Sequence, residues 1–473
     1  MRNALKALGA VLAVIALCAP LMFLPAEDTQ PAVLGHAGVT VTVPPTVVVA
    51  ATIPGLETTT TTTERPRPQP TTPTTTPSTT TTTTGPTDIT IAAVGGVLTA
   101  PAILDSIRDA KIGSYDFGPI FAPIAPYISK ADYAVAALEP RLAGPAAGYT
   151  SASASNAPRE LAFALKQAGV DLVGTANPQA LDLGWNGLTG TLDRLDAAGL
   201  GHVGTYRTGA ARNTPVIEDI KGIKVAFLDY TSSLANTLPA DQKKDFAVNV
   251  VTFDTVHADA LMAKSWGADA VVAMIDYGDS AQGAPDAKQT ALAYQILQSA
   301  GVDVVLGCDS TQILPIGHLF DFDSLRHKYV GYSLGDFLTL PQVQSDPTAA
   351  TTPSGMVAYL HFEKSGLRTY ATGVSYLPLY IQKTTTTPTA TTGTAGETTT
   401  ARSTSTTLRP AGSKDGVTTF RILPVLLGLD PQTDIPITAD DKQRMAQIWE
   451  YCRNQVYRPD ESIVPLVPSD LGL

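Results

Sequence analysis

From Asp88 onward, short apolar runs alternate with amphipathic stretches. "DITIAAVGG", beginning at Asp88, is an apolar run that stops on two glycines, as a strand entering a loop does. "ADYAVAALEP" (131–140) and "AGVDLVGTAN" (168–177) hold a second and a third strand. The stretch before the third reads as a helix: Pro158 suits its first turn, Leu161, Ala162, Leu165 and Ala168 share a face, and Gly169 ends it. The phrases "AGVDLVG" (168–174), "AGLGHVG" (198–204) and "AGVDVVLG" (300–307) each follow a helical stretch. They are one connection chemistry reused, with Ala-Gly closing a helix and the apolar residues opening a strand, and not a sequence repeat. "KVAFLDYT" (224–231), "ADAVVAMIDYG" ending at Gly278 and "HKYVGYSLGDF" (327–337) are further strands. "GMVAYLHFEK" (355–364) and "VTTFRILPVLL" (417–427) look antiparallel, and "DDKQRMAQIWEYCRNQV" carries Met445, Ile448, Trp449 and Cys452 at helical spacing. Strands in excess of one sheet, with helices between them, predict a layered α/β fold.

The remaining length does not carry such a pattern. Residues 57–84 and 383–407 are Thr-rich tracts with too little apolar surface to offset chain entropy. The expected organisation is therefore an N-terminal signal over 1–28, a Thr/Pro stalk over 29–87 and a globular domain over 88–382. A low-complexity insertion over 383–413, a strand and helix over 414–460 that complete the domain, and a tail over 461–473 follow. Arg2 and Lys6 precede an apolar run from Ala7 to Leu24, and acidic residues follow it, which is an export signal. The run is long and Leu24-Pro25-Ala26 is a poor cleavage site, so the expectation is an uncleaved membrane anchor with the domain outside the cytoplasm, or a secreted domain if the signal is cut. Bulky Leu17 before Cys18 argues against lipidation there.

The formal net charge is −11 and no run of basic residues occurs, which argues against nucleic acid as a partner. An acidic polymer would also be repelled unless basic side chains cluster in space. Cys308 and Cys452 are too few for a disulfide framework and read as buried thiols.

Open α/β sheets place chemistry at the C-terminal ends of their strands. That rule selects Gly95-Gly96, Glu139, Asn177 to Gln179, Asp229, Asp276 to Gly278, Asp309 to Gln312, and Asp336. In this order the strand ends resemble the CapA family of capsule or poly-γ-glutamate biosynthesis proteins. The resemblance is carried by "ADYAVAALEPRL", "LKQAGVDLVGTANPQALDLG" with "GLTGTLDRLDAAGL" after it, "AGVDVVLGCDSTQILP" and "YSLGDF". It implies a calcineurin-like metallophosphatase sandwich with αββα layers, and membrane-bound capsule or polyglutamate synthase subunits as partners, reached through the N-terminal helix.

The departures from that family fall on its metal ligands. An Asp after the first strand is replaced by Gly96, and an Asn before Leu-Glu by Ala137. An Asn-Asn-His step has become Asn177-Pro178-Gln179, a His-Trp-Gly step Asp276-Tyr277-Gly278, and a His-x-His step Asp309-Ser310-Thr311. A two-metal phosphoesterase needs a bridging carboxylate and several neutral imidazoles. The degenerate pocket is expected to contain Glu139, Asn177, Asp182, Asp276, Asp309 and Asp336, with no catalytic assignment and no resident cofactor. The sharper alternative is an oxygen-only Ca²⁺ or Mg²⁺ site at Glu139, Asp276 and Asp309, helped by Asp336; its plainer competitor is that these carboxylates cap helices or bond loop amides. Asn177 is expected to brace its loop, and Gly184 and Gly335 to serve backbone geometry. His202, His257, His318, His327 and His361 show no ligand spacing, and Ser232, Ser233 and Ser310 lie in no Gly-x-Ser-x-Gly elbow. The functional expectation is a non-catalytic accessory or scaffold; the alternatives are a divalent-metal hydrolase of a phosphoester or peptide-like bond, and a generic cell-wall binding module.

Overall fold

A computed structural model describes residues 85–150, 155–278, 284–308, 312–322, 325–340, 355–386, 417–428, 430, 433–456 and 462–466. All of them belong to the compact unit Thr81–Leu473. The expected signal, the stalk up to residue 84, most of the Thr-rich insertion and Asp309 lie outside the described residues. Among the described residues no helix is long and apolar enough to cross a membrane.

The chain starts with β1 (Thr87–Val97), then β2 (Tyr133–Leu138), helix α1 (Glu160–Gln167), β3 (Leu172–Gly174), α2 (Gly184–Ala198) and β4 (Gly201–Val203). These four strands run parallel in order, because each crosses over through a helical stretch. A second sheet follows with β5 (Val216–Ile220), β6 (Ile223–Thr231), helix α3 (Phe253–Ser265), β7 (Ala270–Asp276), helix α4 (Ala287–Ser299), β8 (Val304–Cys308), β9 (Ile316–Asp321) and β10 (Arg326–Gly331). Its order is β5-β6-β7-β8-β10-β9. The chain then returns to the first sheet with β11 (Asp336–Leu338), β12 (Met356–Ser365), β13 (Arg368–Thr386), β14 (Val417–Pro424), helix α5 (Ala439–Gln455) and β15 (Ile463–Pro465). The first sheet has nine strands, ordered β14-β13-β12-β1-β2-β3-β4, with β11 on β1 and β15 on β13.

Alternation along the strands builds the layers. In β1, Ile89, Ile91 and Ala93 enter the core shared with Val225 and Phe227 of β6 and Val272 and Met274 of β7. Ala92 and Val94 point the other way, to Leu161 and Leu165 of α1 and Leu188, Leu192 and Leu195 of α2. On the far side of the second sheet, Val271, Ala273 and Ile275 pack against Val256, Ala260 and Ala263 of α3 and Ile296 and Leu297 of α4. The layers are therefore helix, sheet, sheet, helix, each buried aliphatic side chain contributing about 1.5–3 kcal/mol. Tyr133 stacks on Phe227 across the two sheets, ring centroids 5.3 Å apart. Met445, Ile448 and Cys452 of α5 close one edge of the inter-sheet core.

Some elements depart from the hydrophobic pattern. The run 327–337 is two strands, β10 in the second sheet and β11 in the first, because the chain changes sheets after Gly331. Two glycines make room for this crossing: a Cβ on Gly307 would collide with the carbonyl oxygen of Tyr332, and one on Gly95 with that of Gly335. β13 continues to Thr386, inside the Thr-rich tract, and pairs with β14 along its whole second half. Within the stretch 461–473, β15 pairs parallel with β13.

Candidate functional site

The C-terminal ends of the parallel strands converge where β11 joins β1. Gly96 lies opposite Asp336 in the register, and its amide donates to the carbonyl of Gly335 (3.0 Å). A side chain at Gly96 would meet Glu139 Oε1 and would sit 3.1 Å from Asp336 Oδ1. The space that a bridging carboxylate would need is thus already shared by Glu139 and the buried Asp336.

Asn177 is buried and saturated. Its amide group donates to the carbonyls of Leu138 (3.1 Å), Glu139 (3.4 Å) and Thr175 (3.4 Å), and its Oδ1 accepts from Gln179 N (3.1 Å) and Arg141 Nη2 (3.0 Å). It ties the end of β2 to the loop after β3, as its expected bracing role requires. Pro178 serves the same loop, its carbonyl accepting from Ala235 N at 2.8 Å.

Arg141 is the residue that sequence reasoning missed. Its side chain is 3% exposed at the mouth of β2, and Nη1 has no hydrogen-bond partner among the described residues. Burial pushes the guanidinium down to about 10, and the nearby carboxylates of Asp182 and Glu139 oppose that shift. A cavity of about 10 Å³, room for a single water, adjoins Arg141, Thr175, Thr191 and Thr205. The available signal was an arginine two residues after the strand-end Glu139.

Two of the other acids accept from backbone amides. Asp229, at the end of β6, accepts from the amides of Thr175 (2.7 Å) and Ala176 (2.8 Å) through Oδ2; burial pushes its carboxyl up, against the pull of these amides. Asp276 is buried at the end of β7, where Oδ1 accepts from Gly278 N (3.0 Å) and its carbonyl from Ser232 N (2.7 Å). Asp182 accepts from Asn236 Nδ2 at 2.8 Å on the outside of the loop. The structure therefore groups Glu139, Asp336, Asn177, Arg141 and Asp182 at one strand-end cluster on the first sheet. It places Asp276 at the end of a strand of the second, in register with Cys308.

The donor set does not fit a pair of divalent ions. The bridging position is a glycine, a buried guanidinium stands beside Glu139, and Asp229 is turned to amides. Among the described residues, no group of three or more His, Cys, Asp or Glu side chains is arranged to hold a metal ion. Of the histidines, His361 is bonded to Ser375 Oγ (2.8 Å) and Thr90 Oγ1 (3.3 Å), and His202 to Asp196 (3.2 Å), all away from the strand ends.

Comparison with known proteins gives a family match over residues 90–340, to the bacterial capsule synthesis protein PGA_cap. The chain is 25% identical over 301 residues to the capsule biosynthesis protein CapA of Bacillus anthracis, an alignment that covers 62% of this chain and 68% of that protein. Among solved structures it is similar to the NAD nucleotidase NadN of Haemophilus influenzae, with a TM-score of 0.38, 10% identity, and 62% of this chain against 50% of that one. A 5'-nucleotidase precursor from Thermus thermophilus gives a TM-score of 0.37 at 10% identity, over 62% of this chain and 54% of that one. The calcineurin-like phosphoesterase YfkN from Bacillus subtilis gives 0.35 at 12% identity, over 62% and 91%.

Proposed function

The chain belongs to the bacterial capsule synthesis protein PGA_cap family, and from that premise we propose that it is a non-catalytic accessory or scaffold in the assembly or export of a capsule-type polymer. The reading places it outside the cytoplasm, held at the membrane by its N-terminal segment, with membrane synthase subunits as partners. The observation that carries the reading is the exchange at the strand ends. Glu139 and Asp336 occupy the space beside Gly96, and the chain supplies its own buried cation there, Arg141. A glycine at the first strand end and a buried guanidinium beside Glu139 are poorly suited to holding a metal-activated water, and the bonds of Asn177 hold loops in place.

A second reading has one observation in its favour. Carboxylate oxygens of Glu139 and Asp336 both approach Gly96, so an oxygen-only Ca²⁺ or Mg²⁺ site would have two ligands ready. One experiment separates the two. The purified chain is exposed to Ca²⁺, Mg²⁺, Mn²⁺ and Zn²⁺ in turn, then tested for bound metal by elemental analysis and for hydrolysis of phosphomonoester and phosphodiester substrates. The accessory reading expects neither. Stoichiometric metal together with hydrolysis, both lost in Glu139→Ala and Asp336→Ala, would replace it with the hydrolase.

A further inference from the structure

The connection from β6 to α3 encloses, together with Leu181 of the loop after β3, a cavity of about 430 Å³. We propose that this cavity binds the hydrocarbon tail of a fatty carboxylate, whose head is held at the rim by Lys243 and Lys244. The proposal stands whether the strand-end pocket belongs to a scaffold or to a hydrolase.

The connection is fixed at both ends. Ala235 N donates to the carbonyl of Pro178 (2.8 Å), and Asn236 Nδ2 to Asp182 Oδ1 (2.8 Å). At the other end, Tyr206 N donates to the carbonyl of Ala247 (2.9 Å). Asn249 donates through N to the carbonyl of Gly204 (2.9 Å) and through Nδ2 to that of Asp229 (3.0 Å). Between these feet the chain arches outward through a short 3₁₀ turn, Ala240–Gln242, and turns Leu238 inward, where it is buried. The bonds at the feet set the spacing of the cavity walls.

Walls and rim differ in chemistry. Leu181, Leu234, Leu238, Ala247, Val248 and Val250 make the wall aliphatic, and Val250 leaves 39% of its surface exposed. Among the described residues no aromatic ring lines the cavity. A flat ligand therefore has nothing to stack on, whereas a flexible hydrocarbon can follow the wall. The charged groups stand at the rim, with Lys243 and Asp245 exposed and Lys244 half-buried. The Lys244 ammonium lies 5.0 Å from the centre of the Trp185 ring, a contact that keeps it in place. Trp185 in turn meets Phe246 edge to face, centroids 6.2 Å apart.

Charge and volume select the ligand. Lys243 pairs with Asp245 at 3.0 Å, so two ammoniums and one carboxylate leave the rim a single surplus positive charge. A carboxylate head balances that surplus, whereas a phosphate monoester, at about −1.5 to −2, exceeds it. At about 30 Å³ for a group the size of a water molecule, the cavity holds roughly a dozen methylenes. That is one chain, with its polar end left at the lysines.

The test is isothermal titration calorimetry of the full chain with linear carboxylates of about 8 to about 16 carbons, each below its micelle concentration. Affinity is expected to rise about fourfold per added methylene and to level off once the chain reaches about a dozen carbons. Val250→Asp puts a charge on the wall from a partly exposed position, and should weaken decanoate binding at least about tenfold with the melting temperature unchanged. Lys243→Gln with Lys244→Gln should weaken decanoate at least about fivefold and leave decanol unaffected, since only the head loses its partners. Arg108→Gln with Arg159→Gln, which removes equal charge from exposed residues outside the cavity, should change neither. Any of four results would overturn the proposal: no saturable binding of decanoate, affinity that keeps rising to the longest chain as adsorption on any apolar segment would, equal loss in both double variants, or decylammonium binding as tightly as decanoate.

Discussion

Replacing Arg141 with methionine tests whether the buried guanidinium is held at a cost to stability. Its shift from an ordinary 12.5 to about 10 says that the folded site disfavours the charge even with Asp182 and Glu139 nearby. At about 1.4 kcal/mol per pH unit, that is roughly 3 kcal/mol against the charged form. Methionine keeps much of the aliphatic stem and removes the charge, so this cost disappears. The variant also loses the hydrogen bond to Asn177 Oδ1, a charge-assisted bond of about 1.5–3 kcal/mol. Asn177 Oδ1 is not orphaned, because Gln179 N still donates to it at 3.1 Å. The two effects nearly cancel, and Arg141→Met is expected within about 1.5 kcal/mol of the parent. Removal of one member of a well-compensated buried ion pair would instead cost about 3–5 kcal/mol. Glu139→Gln supplies the second arm of the cycle. It takes away a carboxylate that supports the guanidinium, so it should destabilise the parent more than it destabilises Arg141→Met. Urea and thermal unfolding followed by tryptophan fluorescence would measure all four proteins. A loss above about 3 kcal/mol for Arg141→Met would refute the reasoning, since the guanidinium would then be a net stabilising member of its cluster.

Three further outcomes follow from the geometry. Gly204→Ala is expected to lose about 2–5 kcal/mol, from a strained backbone and overpacking, because Gly204 has φ +100° and a Cβ there would meet Asp229 Oδ2 and lie 2.8 Å from Ala176 Cβ; unchanged unfolding in urea would contradict it. Gly96→Asp, which puts back a carboxylate at the first strand end, should destabilise by about 1–3 kcal/mol through crowding, and Mn²⁺ should not recover the loss in a thermal melt; full recovery by Mn²⁺ would mean that the pocket still assembles a metal site. Burial holds His361 below its ordinary value, so in the window between its folded value and 6.5 the unfolded chain binds more protons. Stability should therefore rise with pH through that window and fall on acidification, with His202, shifted the same way by burial, adding to the slope. His361→Gln should flatten the profile measured by urea midpoint from about pH 7 to about pH 5, and an unchanged slope would remove His361 from the account.

The parts of the fold legible in the sequence are those whose physics is local. β1, β2, β6, β7 and β8 are apolar because both of their faces are covered, by the other sheet on one side and helices on the other. β5 and β9 have no such signature, since they are the edges of the second sheet and carry polar residues such as Glu218, Asp219 and His318. β13 is nineteen residues long, and its last stretch, Lys383 to Thr386, is polar and, among the described residues, pairs with β14 alone. The convergence of Glu139 with Asp336 depends on the return of the chain to the first sheet after Gly331, and no spacing in the sequence encodes that crossing. Arg141 was hidden for a similar reason: a charged residue after a strand reads as solvated until its neighbours are known, and here they bury it.

The strand-end residues also divide by what they do for the backbone. A Cβ on Gly95 would collide with the carbonyl oxygen of Gly335, Gly335 itself has φ +67°, and Asn177 bonds the ends of two strands at once, so these residues serve the backbone whether or not chemistry occurs. The carboxylates of this strand-end pocket are partly withdrawn from water, Asp336 buried and Glu139 half-buried, with a guanidinium close by. That guanidinium, Arg141, donates to Asn177 Oδ1 at 3.0 Å, and Asp182 and Glu139 lessen the cost of burying it. The arrangement is self-contained, with cation and anions drawn from one chain. Its dependence on added metal is therefore the property that most directly distinguishes a scaffold from a hydrolase.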